Sequence, residues 1–522
     1  FFSVSSGQSL HPELREGFLL ETSQDAIIVM QQQSNLHTLN NLDELSKEEK
    51  GAAVYKKLST LAQQSQMAVL QYLAQEGIVH RSFSIVNAIS TQITEEQAEE
   101  ILLLQNVANI IPNPWVRQDL GFIERNNANA RQSVEWGVQR IGAPALWEMG
   151  YLGEGVVVGG QDTGYDFRHP TLISKYRGTI PGDTIHDYNW HDAIRVLNPL
   201  HGGGTNPCGL DVTEPCDDNN HGTHTMGTMV GDDGNGNQIG IAPEAKWIAC
   251  RNMERGYGSP ASYIECFEWF LAPTKVDGTE PDPTKAPHVI ANSWSCPEME
   301  GCVPENFSLM ETAINNLRAA GVMVVTSAGN SGSQGCGSVS TPPSIFGAAY
   351  AVGATNDQDT IAGFSSRGPV TIDGSNRLQP QVVAPGVNVR SSVRNGAYAN
   401  FSGTSMAGPH VAGAVALLIS AYPNLAGNVE GLERIFRESA LPLFSSQNCG
   451  DFPGDARPNA VYGYGRIDLI AAFNLAQTLV NAEEEIEKLC GIDSFFKELN
   501  TAKEKKRGDK DSVTNFIHDS DT

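Results

Sequence analysis

The feature that most constrains the fold is a series of short apolar runs in the central and C-terminal parts of the chain, separated by helical stretches. The runs occupy residues 155–160, 246–250, 288–292, 322–327 and 349–353. Strands that alternate with helices in this way are typical of an α/β domain with a doubly wound, mostly parallel sheet. Ligands of such sheets bind beyond the carboxyl ends of the strands, so the residues that follow each run are the candidate functional residues.

The region before these runs has a different pattern, which predicts a small α+β domain over residues 24–118. A short apolar strand is followed by residues 47–75, whose apolar side chains recur near helical spacing, and residues 79–93 have the pattern of a strand pair. Thr94 begins a capping box that opens a second helix, and a last strand is expected at residues 107–111. This order of elements is that of a ferredoxin-like, split βαβ unit.

A chain of 522 residues exceeds the comfortable size of one core, so further boundaries are expected. Residues 1–23 are assigned to an N-terminal segment. Residues 119–135 are polar and rich in Asn and Arg, which predicts an exposed linker open to proteolysis. The main domain then covers residues 136–480, and a charged tail covers residues 481–522.

The composition argues against several classes of partner. Asp and Glu number 60 against 35 Lys and Arg, which gives a formal net charge of −25. Nucleic acids and anionic membrane surfaces are bound by basic patches, so neither is an expected partner. The sequence has no apolar stretch of about eighteen residues or more, and no membrane span is predicted.

The nine cysteines indicate an oxidising compartment. The pairs that the spacing suggests are Cys208 with Cys216, Cys296 with Cys302 and, as an option, Cys250 with Cys266. The cysteines without an assigned partner are Cys336, Cys449 and Cys490. The paired Cys-x-x-Cys or Cys/His spacing of a zinc site is absent, so local disulfides are the preferred interpretation. We therefore expect a secreted or extracellular protein.

Ser405 is the first candidate for chemistry. Gly403 allows a sharp turn before it, and residues 411–419 form a long apolar run that predicts a helix buried on most sides. A serine at the start of a buried helix is a candidate nucleophile. The alternative is an ordinary helix N-cap, because serine is a favoured cap.

Three further residues follow apolar runs or open a helix. Asp162 comes directly after the first run, His221 opens a helical stretch, and Asn330 follows the run at 322–327. Taken singly, Asp162 and Asn330 are better explained as turn residues beside glycine than as functional residues. Taken together with Ser405, they supply an acid, a base, an amide donor and a nucleophile at one edge of the predicted sheet.

Metal binding is the alternative for the histidine stretch. His221 and His224 are three residues apart and could share a helix face, but the stretch has neither the intervening Glu of zinc proteases nor an evident third ligand. Residues 232–237 form a loop rich in Asp, Asn and Gly, which is equally a calcium loop or a plain turn. The identity of any metal site stays unknown at this point, and structural calcium remains an option.

The order acid, histidine, Asn, serine, together with the motifs around these residues, resembles the subtilisin-like serine proteases of the subtilase family. The matching motifs are Asp162-Thr163-Gly164, His221-Gly222-Thr223-His224, Ser327-Ala328-Gly329-Asn330 and Gly403-Thr404-Ser405-Met406-Ala407-Gly408-Pro409-His410. Residues 238–249 and 270–273 look most like the bacillopeptidase F branch of that family. The resemblance extends over about residues 136–476.

The resemblance implies a role for each matching residue. Asp162, His221 and Ser405 would form the catalytic triad, and Asn330 would hold the oxyanion together with the backbone N–H of Ser405. The residues that would pair with an extended substrate are Gly256, Tyr257, Gly258, Ser293, Trp294 and Ser295. Two residues in or beside these motifs depart from the family pattern: Asn220 stands where Gly or Ser is usual before the histidine, and Ser295 stands where a Gly usually lines the cleft.

The resemblance also implies a zymogen. Residues 24–118 resemble the inhibitory propeptide of the family, with a maturation site in the linker between Arg117 and Trp136. The expected partners are protein or peptide substrates and the chain's own propeptide, and the chemistry requires no cofactor. Broad apolar substrate preference is the expectation, since no acidic residue can be assigned to the primary pocket.

Two alternatives to a serine endopeptidase were weighed. A catalytically inactive subtilase that binds peptides is expected to lack a triad member, and none is missing here. A metal-dependent hydrolase that uses His221 and His224 would be inhibited by chelators without labelling of any serine.

Overall fold

The computed structural model describes residues 8–39, 41–128 and 131–482, with the backbone alone for residues 122–128. The start of the predicted N-terminal segment, the tail beyond residue 482 and Cys490 lie outside the described residues. The chain divides into two units, Phe1–Ala472 and Phe473–Thr522.

The first part of the chain contains a sheet with helices packed beside it. Its strands are β1 (Ser9–Leu10), β2 (Gln24–Met30), β3 (His80–Phe83), β4 (Ala88–Ile93) and β5 (Val107–Pro112), in the order β1-β5-β2-β4-β3. Its helices are α1 (Pro12–Phe18), α2 (Lys47–Ser65), α3 (Met67–Gln75) and α4 (Glu95–Leu102). The β1–β5 pair is parallel and the other pairs are antiparallel. As the capping-box pattern predicts, Thr94 accepts from Gln97 N and its own N–H donates to the Gln97 side chain.

The single helix predicted at residues 47–75 is two helices, and Gln66 lies between them. The Gln66 side chain is fully buried and donates from Nε2 to Phe83 O at 2.9 Å and to Asn87 Oδ1 at 2.8 Å. Ser82 Oγ donates to its Oε1 at 2.5 Å. Because these partners lie at the end of β3 and on its connection to β4, helical periodicity in the sequence alone does not indicate the break.

The segment predicted as an exposed linker begins with paired backbone. Strand β6 (Val116–Arg117) lies just before it and β7 (Phe122–Ala128) lies within it. Both pair antiparallel with strands of the main domain, β6 with Tyr257–Gly258 and β7 with Ala397–Ser402. Although this segment is polar, part of its backbone is therefore paired as a strand.

The main domain is built on seven parallel strands, as the apolar runs predict. Their order is β11-β12-β8-β15-β16-β17-β18. The chain's remaining strands are β8 (Val157–Asp162), β9 (Thr179–Ile180), β10 (Asp183–Thr184), β11 (Trp190–Asp192), β12 (Lys246–Arg251), β13 (Met253–Glu254), β14 (Tyr257–Gly258), β15 (Val289–Asn292), β16 (Met323–Ser327), β17 (Tyr350–Thr355), β18 (Val382–Pro385), β19 (Val389–Val393) and β20 (Ala397–Ser402). The five predicted runs form the middle of the sheet. The outer strands β11 and β18 are not among the predicted runs.

Helices form two layers on this sheet. The helices of the main domain are α5 (Trp136–Arg140), α6 (Ala143–Glu148), α7 (His221–Val230), α8 (Pro260–Leu271), α9 (Pro304–Ala319), α10 (Thr404–Ala421) and α11 (Val429–Ser439). Helices α7 and α10 pack on each other, and so do α8 and α9. The helix predicted at residues 411–419 begins earlier, at Thr404, and α10 carries Pro409 within it. Ser405 therefore lies in its first turn.

Four disulfides join cysteines in the described residues. They are Cys208–Cys216, Cys250–Cys266, Cys296–Cys302 and Cys336–Cys449. The three pairs that the spacing suggests are confirmed. The fourth joins cysteines that are 113 residues apart, a separation at which sequence spacing carries no information.

One helix in the described residues, α10, is long and apolar enough to cross a membrane, and 89% of its apolar window is buried inside the protein. The core helix of a soluble domain has the same properties.

Candidate functional site

The candidate residues converge because parallel strands end at the same edge of the sheet. Asp162 is the last residue of β8, and Gln161 beside it pairs with Asn292 at the end of β15. Asn330 follows β16, which is paired with β15 in register. Helix α10 packs across β15, β16 and β17, and its first turn carries Ser405.

Asp162 and His221 form a buried pair. His221 Nδ1 lies 2.7 Å from Asp162 Oδ1 and 2.9 Å from Oδ2. The residues are 0% and 2% exposed. Asp162 Oδ1 also accepts from Thr163 N at 2.8 Å. A carboxylate at this position places the imidazole proton on Nδ1 and leaves Nε2 able to accept a proton.

The other ring nitrogen of His221 is buried and makes no hydrogen bond to any described residue. Ser405 is 2% exposed, and no hydrogen bond joins its Oγ to this nitrogen within the described part of the chain. Catalytic hydrogen bonds are often loose before a substrate is fully engaged.

Asp217 organises the start of α7, and the sequence analysis missed it. Its Oδ1 accepts from Asn219 N, Asn220 N and Thr163 Oγ1, at 2.8, 3.0 and 2.9 Å. Its Oδ2 accepts from Thr223 N at 3.0 Å and Thr223 Oγ1 at 2.6 Å. This one carboxylate connects the loop after Asp162 with the helix that carries His221. The available signal was the Asp/Asn-rich stretch before a helix, which is typical of capping.

Asn220 directly precedes His221 in an unusual conformation, with φ at 124°. Arg394 holds it there, since Arg394 Nε donates to Asn220 Oδ1 at 3.0 Å and Arg394 N does so at 3.2 Å. A positive φ favours glycine, which explains why the departure from Gly at this position requires a compensating contact.

His224 has surroundings quite unlike those of His221. Its ring stacks on Phe401 with centroids 4.3 Å apart, and its Nε2 lies 2.9 Å from Val389 O. Burial lowers the pKa of His224 to about 3. In the described part of the chain, no group of three or more His, Cys, Asp or Glu side chains is arranged to hold a metal ion.

The loop at residues 232–237 is the candidate calcium site of the sequence. Asp232 Oδ1 accepts from Gly234 N at 3.1 Å, and Asp233 Oδ1 accepts from Asn235 N at 2.8 Å and Asn237 N at 3.2 Å. These bonds are those of Asx turns, so the turn geometry accounts for the Asp and Asn residues of the loop.

Asn330 is oriented by Thr404. Its Oδ1 accepts from Thr404 N at 2.9 Å and from Thr404 Oγ1 at 3.0 Å. The Thr404 hydroxyl also accepts from Gly329 N at 3.2 Å. Because both contacts use the amide oxygen, the Nδ2 group is left to donate elsewhere, and it lies 3.5 Å from Asp119 O.

An open cleft of about 930 Å³ extends along this edge of the sheet. One wall contains Gly256 and Tyr257 and the other contains Ser293, Trp294 and Ser295, while Ser405 and Asn330 lie along it. Gly258 belongs to the first wall through β14. The Trp294 ring stacks on Tyr263 with centroids 3.9 Å apart, which gives the second wall a rigid base.

Comparison with known proteins places the chain among proteases. Residues 153–465 match the Subtilase family, and this stretch is more than half of the 522-residue chain. Bacillopeptidase F of Bacillus subtilis (strain 168) is 35% identical over 444 residues, which cover 81% of this chain and 28% of that protein. Subtilisin E of the same strain is 30% identical over 349 residues, which cover 66% of this chain and 74% of that protein. Subtilisin Savinase of Lederbergia lenta is 33% identical over 294 residues, which cover 56% of this chain and 87% of that protein.

Proposed function

We propose, from the premise that this chain belongs to the subtilase family, that it is a serine endopeptidase acting through Asp162, His221 and Ser405. The observation that carries the proposal is the buried Asp162–His221 pair, whose second ring nitrogen is unpartnered among the described residues, at the sheet edge where Ser405 opens α10. Asn330, at the same edge of the sheet, supplies an amide donor for the oxyanion.

The first half of the reaction forms an acyl-enzyme. Ser405 Oγ attacks the carbonyl carbon of the peptide bond while His221 Nε2 takes its proton, and Asp162 stabilises the resulting imidazolium. Asn330 Nδ2 and the backbone N–H of Ser405 hold the oxyanion of the tetrahedral intermediate. His221 then gives the proton to the leaving amine as the C–N bond breaks. A water molecule then attacks the acyl-enzyme while His221 takes its proton. His221 returns the proton to Ser405 Oγ as the new carboxylate is released.

Substrate would bind as an added strand along the Gly256–Gly258 wall. The backbone groups of β14 that β-augmentation requires already pair with β6 in the uncut chain. On the opposite wall, the backbone N–H and C=O of Ser295 are both hydrogen-bonded to the side-chain amide of Gln118. Extended protein or peptide segments are therefore the substrate class that we propose.

We also propose that residues 24–118 are an inhibitory propeptide. The contacts with the main domain are extensive and specific: Lys47 Nζ donates to Ala286 O at 2.8 Å, and Lys50 Nζ donates to Gly427 O at 3.0 Å. Glu268 on α8 accepts from Ser84 N at 2.9 Å and Ile85 N at 2.5 Å. Hydrogen bonds to a carboxylate contribute about 1.5–3 kcal/mol each when they are buried.

An apolar interface supports the same proposal. One buried cluster combines side chains of the first region with side chains of α8 and α9. Its members from the first region include Ile27, Val54, Leu58, Phe83, Ile85 and Ile111. The first region also has a core of its own, around Ile28, Val69 and Ile89. A domain with its own core and a tight interface could fold as a unit and cover the protease until it is released. The four disulfides support secretion into an oxidising compartment.

A fluorophosphonate probe tests the catalytic proposal, because it labels only a serine that is activated by its surroundings. We expect labelling of the processed protein at Ser405 and none in Ser405→Ala. Ser420→Ala is the matched control, since Ser420 lies on the same helix and bonds to Gly153 N and Leu417 O away from the cleft. Labelling of the Ser405→Ala variant, or a folded and processed wild type that stays unlabelled, contradicts the proposal.

A further inference from the structure

The chain itself lies in the cleft as an extended strand. Val116 and Arg117 pair antiparallel with Gly258 and Tyr257. The next residue continues this pairing, since Gln118 N donates to Gly256 O at 2.9 Å. Three consecutive residues of the segment are thus held in one register on the wall that we assign to substrate.

The side chain of Gln118 secures this register from the other wall. Its Nε2 donates to Ser295 O at 2.8 Å and to Tyr263 Oη at 2.7 Å, while its Oε1 accepts from Ser295 N at 2.6 Å. Gln118 is 7% exposed. A buried amide with both ends bonded resists displacement, because a one-residue slip would leave these groups without partners.

The next carbonyl faces the proposed oxyanion donor. Asp119 O lies 3.5 Å from Asn330 Nδ2. This is at the long limit of a hydrogen bond, as expected for a ground-state carbonyl beside a site that is built for a tetrahedral oxyanion. The Asn330 amide is held in this orientation by Thr404.

The chain then bends and continues past the serine stretch. Asp119 Oδ1 accepts from Gly121 N at 3.1 Å, which forms a turn directly after Asp119. Gly121 has φ at 79°, and a Cβ there would lie 2.6 Å from Ser402 O. Only glycine suits this close approach. Phe122 pairs with Ser402 and Ile123 pairs with Phe401, so the far side of the cleft is also in register.

We propose that the maturation cleavage falls between Asp119 and Leu120. This inference rests on the proposed function and adds to it the bond that is cut. The bond follows the one carbonyl in the segment that contacts the Asn330 amide in the described structure, and strand pairing on both sides holds it beside Ser405. The uncut chain is thereby its own first substrate.

The step balances as an ordinary hydrolysis. Ser405 Oγ bonds to the carbonyl carbon of Asp119, and its proton passes through His221 to the nitrogen of Leu120 as the C–N bond breaks. Water then releases Asp119 as a carboxylate. The products are residues 1–119 and a chain that begins with the amine of Leu120.

The two new ends are held by different contacts. Residues up to Asp119 keep the β6–β14 pairing and the Gln118 contacts, so the cleaved first region still occupies the cleft as a product-like inhibitor. The strand after Leu120 stays paired with β20. Activity should therefore appear only after the first region dissociates, later than the cut itself.

The test is the amino-terminal sequence and intact mass of both fragments after incubation of the full-length protein. We expect a mature chain that begins Leu120-Gly121-Phe122 and a first fragment that ends at Asp119. Ser405→Ala should remain uncut. A wild-type amino terminus at any other residue overturns the assigned bond.

Two substitutions at Leu120 and one control elsewhere in the linker test whether the cut depends on the Asp119–Leu120 bond and not on the stability of the protein. Leu120→Pro makes the leaving nitrogen part of a ring in a tertiary amide and should abolish or displace the cut, whereas Leu120→Ala should be cut at the same bond. Arg125→Gln is the control for processing at a basic residue of the linker, and it should be cut as in wild type. Loss of the cut in Arg125→Gln, or an unchanged cut in Leu120→Pro, contradicts the inference.

Fluorophosphonate labelling of the same samples distinguishes failure of the assigned cleavage bond from failure of the proposed serine endopeptidase activity. A wild type that labels at Ser405 but is cut elsewhere, or is not cut, refutes the Asp119–Leu120 assignment and leaves the serine endopeptidase intact. A Ser405→Ala chain that is cut between the same residues by another protease, together with an unlabelled wild type, refutes both.

Discussion

Two histidines on one helix, His221 and His224, show how surroundings decide what the same side chain can do. Both are fully buried and lie three residues apart on α7. His221 faces a carboxylate at Nδ1 and has no partner at Nε2 among the described residues. His224 makes no hydrogen bond to a carboxylate in the part of the chain that the structure describes; its Nε2 meets a backbone carbonyl and its ring meets an aromatic face.

The difference teaches that burial alone does not make a catalytic base. Burial lowers the pKa of His224 to about 3, so that ring stays neutral over the working range of most proteins. The Asp162 carboxylate gives His221 what His224 lacks, a negative charge able to stabilise the imidazolium. Comparing the two residues therefore contrasts a proposed catalytic base, His221, with a histidine that only packs in the core, His224.

The largest expected effect comes from His221→Ala, which we expect to lower kcat by about 10⁶ because no other group can accept the serine proton. His224→Ala is the matched control, and its kcat per folded molecule should change less than about tenfold. Both are measured on a chromogenic peptide after active-site titration. Comparable losses of kcat in the two variants would erase the proposed distinction.

Asp162→Asn is expected to lower kcat by about 10⁴, since the amide cannot stabilise the imidazolium and favours the wrong tautomer. The fold should survive, because Asn keeps the size of Asp and an oxygen that can accept from Thr163 N. The measurement is kcat beside the thermal unfolding midpoint. A loss of kcat no greater than tenfold would show that His221 works without this carboxylate.

Acid should destabilise the protein through His224. Its native pKa of about 3 lies below the ordinary value of 6.5, so between these values the unfolded state binds more protons. The stability is fully present above about pH 6.5 and is lost as the pH falls towards 3, by on the order of 4 kcal/mol. Urea unfolding of Ser405→Ala, which cannot digest itself, measures this slope. Adding His224→Phe should make the slope less steep without removing it, because burial also lowers the pKa of His288 to about 3 and that of His410 to about 4. An equally steep slope in the double variant would assign it to those other groups alone.

His224→Ala should also lower the free energy of unfolding by about 3 kcal/mol at neutral pH, because it removes a buried ring stacked on Phe401 and leaves a cavity. The measurement is again urea unfolding in the Ser405→Ala background. Ser420→Ala, at the far end of α10, serves as a half-buried reference with an expected change of about 1 kcal/mol from its lost hydrogen bonds. A neutral His224→Ala would mean that the stack carries no stability.

The smallest effect concerns Asn220, the residue before the proposed base. Asn220→Gly relieves the positive φ but loses the bonds from Arg394, so the unfolding free energy should change by less than about 1 kcal/mol. Asn220→Ala keeps the strain and loses the same bonds, and it should be about 1–2 kcal/mol less stable than the Gly variant. Equal stability of the two variants would show that the backbone at this position is unstrained.

Much of the fold follows from local pattern. The five apolar runs predict the middle of the seven-stranded sheet, and the capping box at Thr94 predicts the start of α4. These signals are local because strand burial and helix capping depend on neighbouring residues. The break at Gln66 is not local, since its partners belong to a turn between later strands.

The same division applies to the site. The order of Asp162, His221, Asn330 and Ser405 was readable because each lies beside a strand end or helix start. Three residues of the site were not predicted. Asp217 orients the start of α7, Arg394 holds Asn220, and Gln118 bonds to the wall of the cleft. Gln118 and Ser295 are 177 residues apart and Asn220 and Arg394 are 174 apart, so no local pattern joins them.

By itself, the sequence determined the parallel sheet, the order of the candidate residues at its carboxyl edge and three of the disulfides, because each depends on periodicity or short spacing. Only the tertiary structure decided which histidine faces the carboxylate, which way the Asn330 amide points and which carbonyl of the linker it meets. Those are relations between side chains brought together from distant parts of the chain, and hydrogen-bond geometry exists only once the strands have been placed side by side.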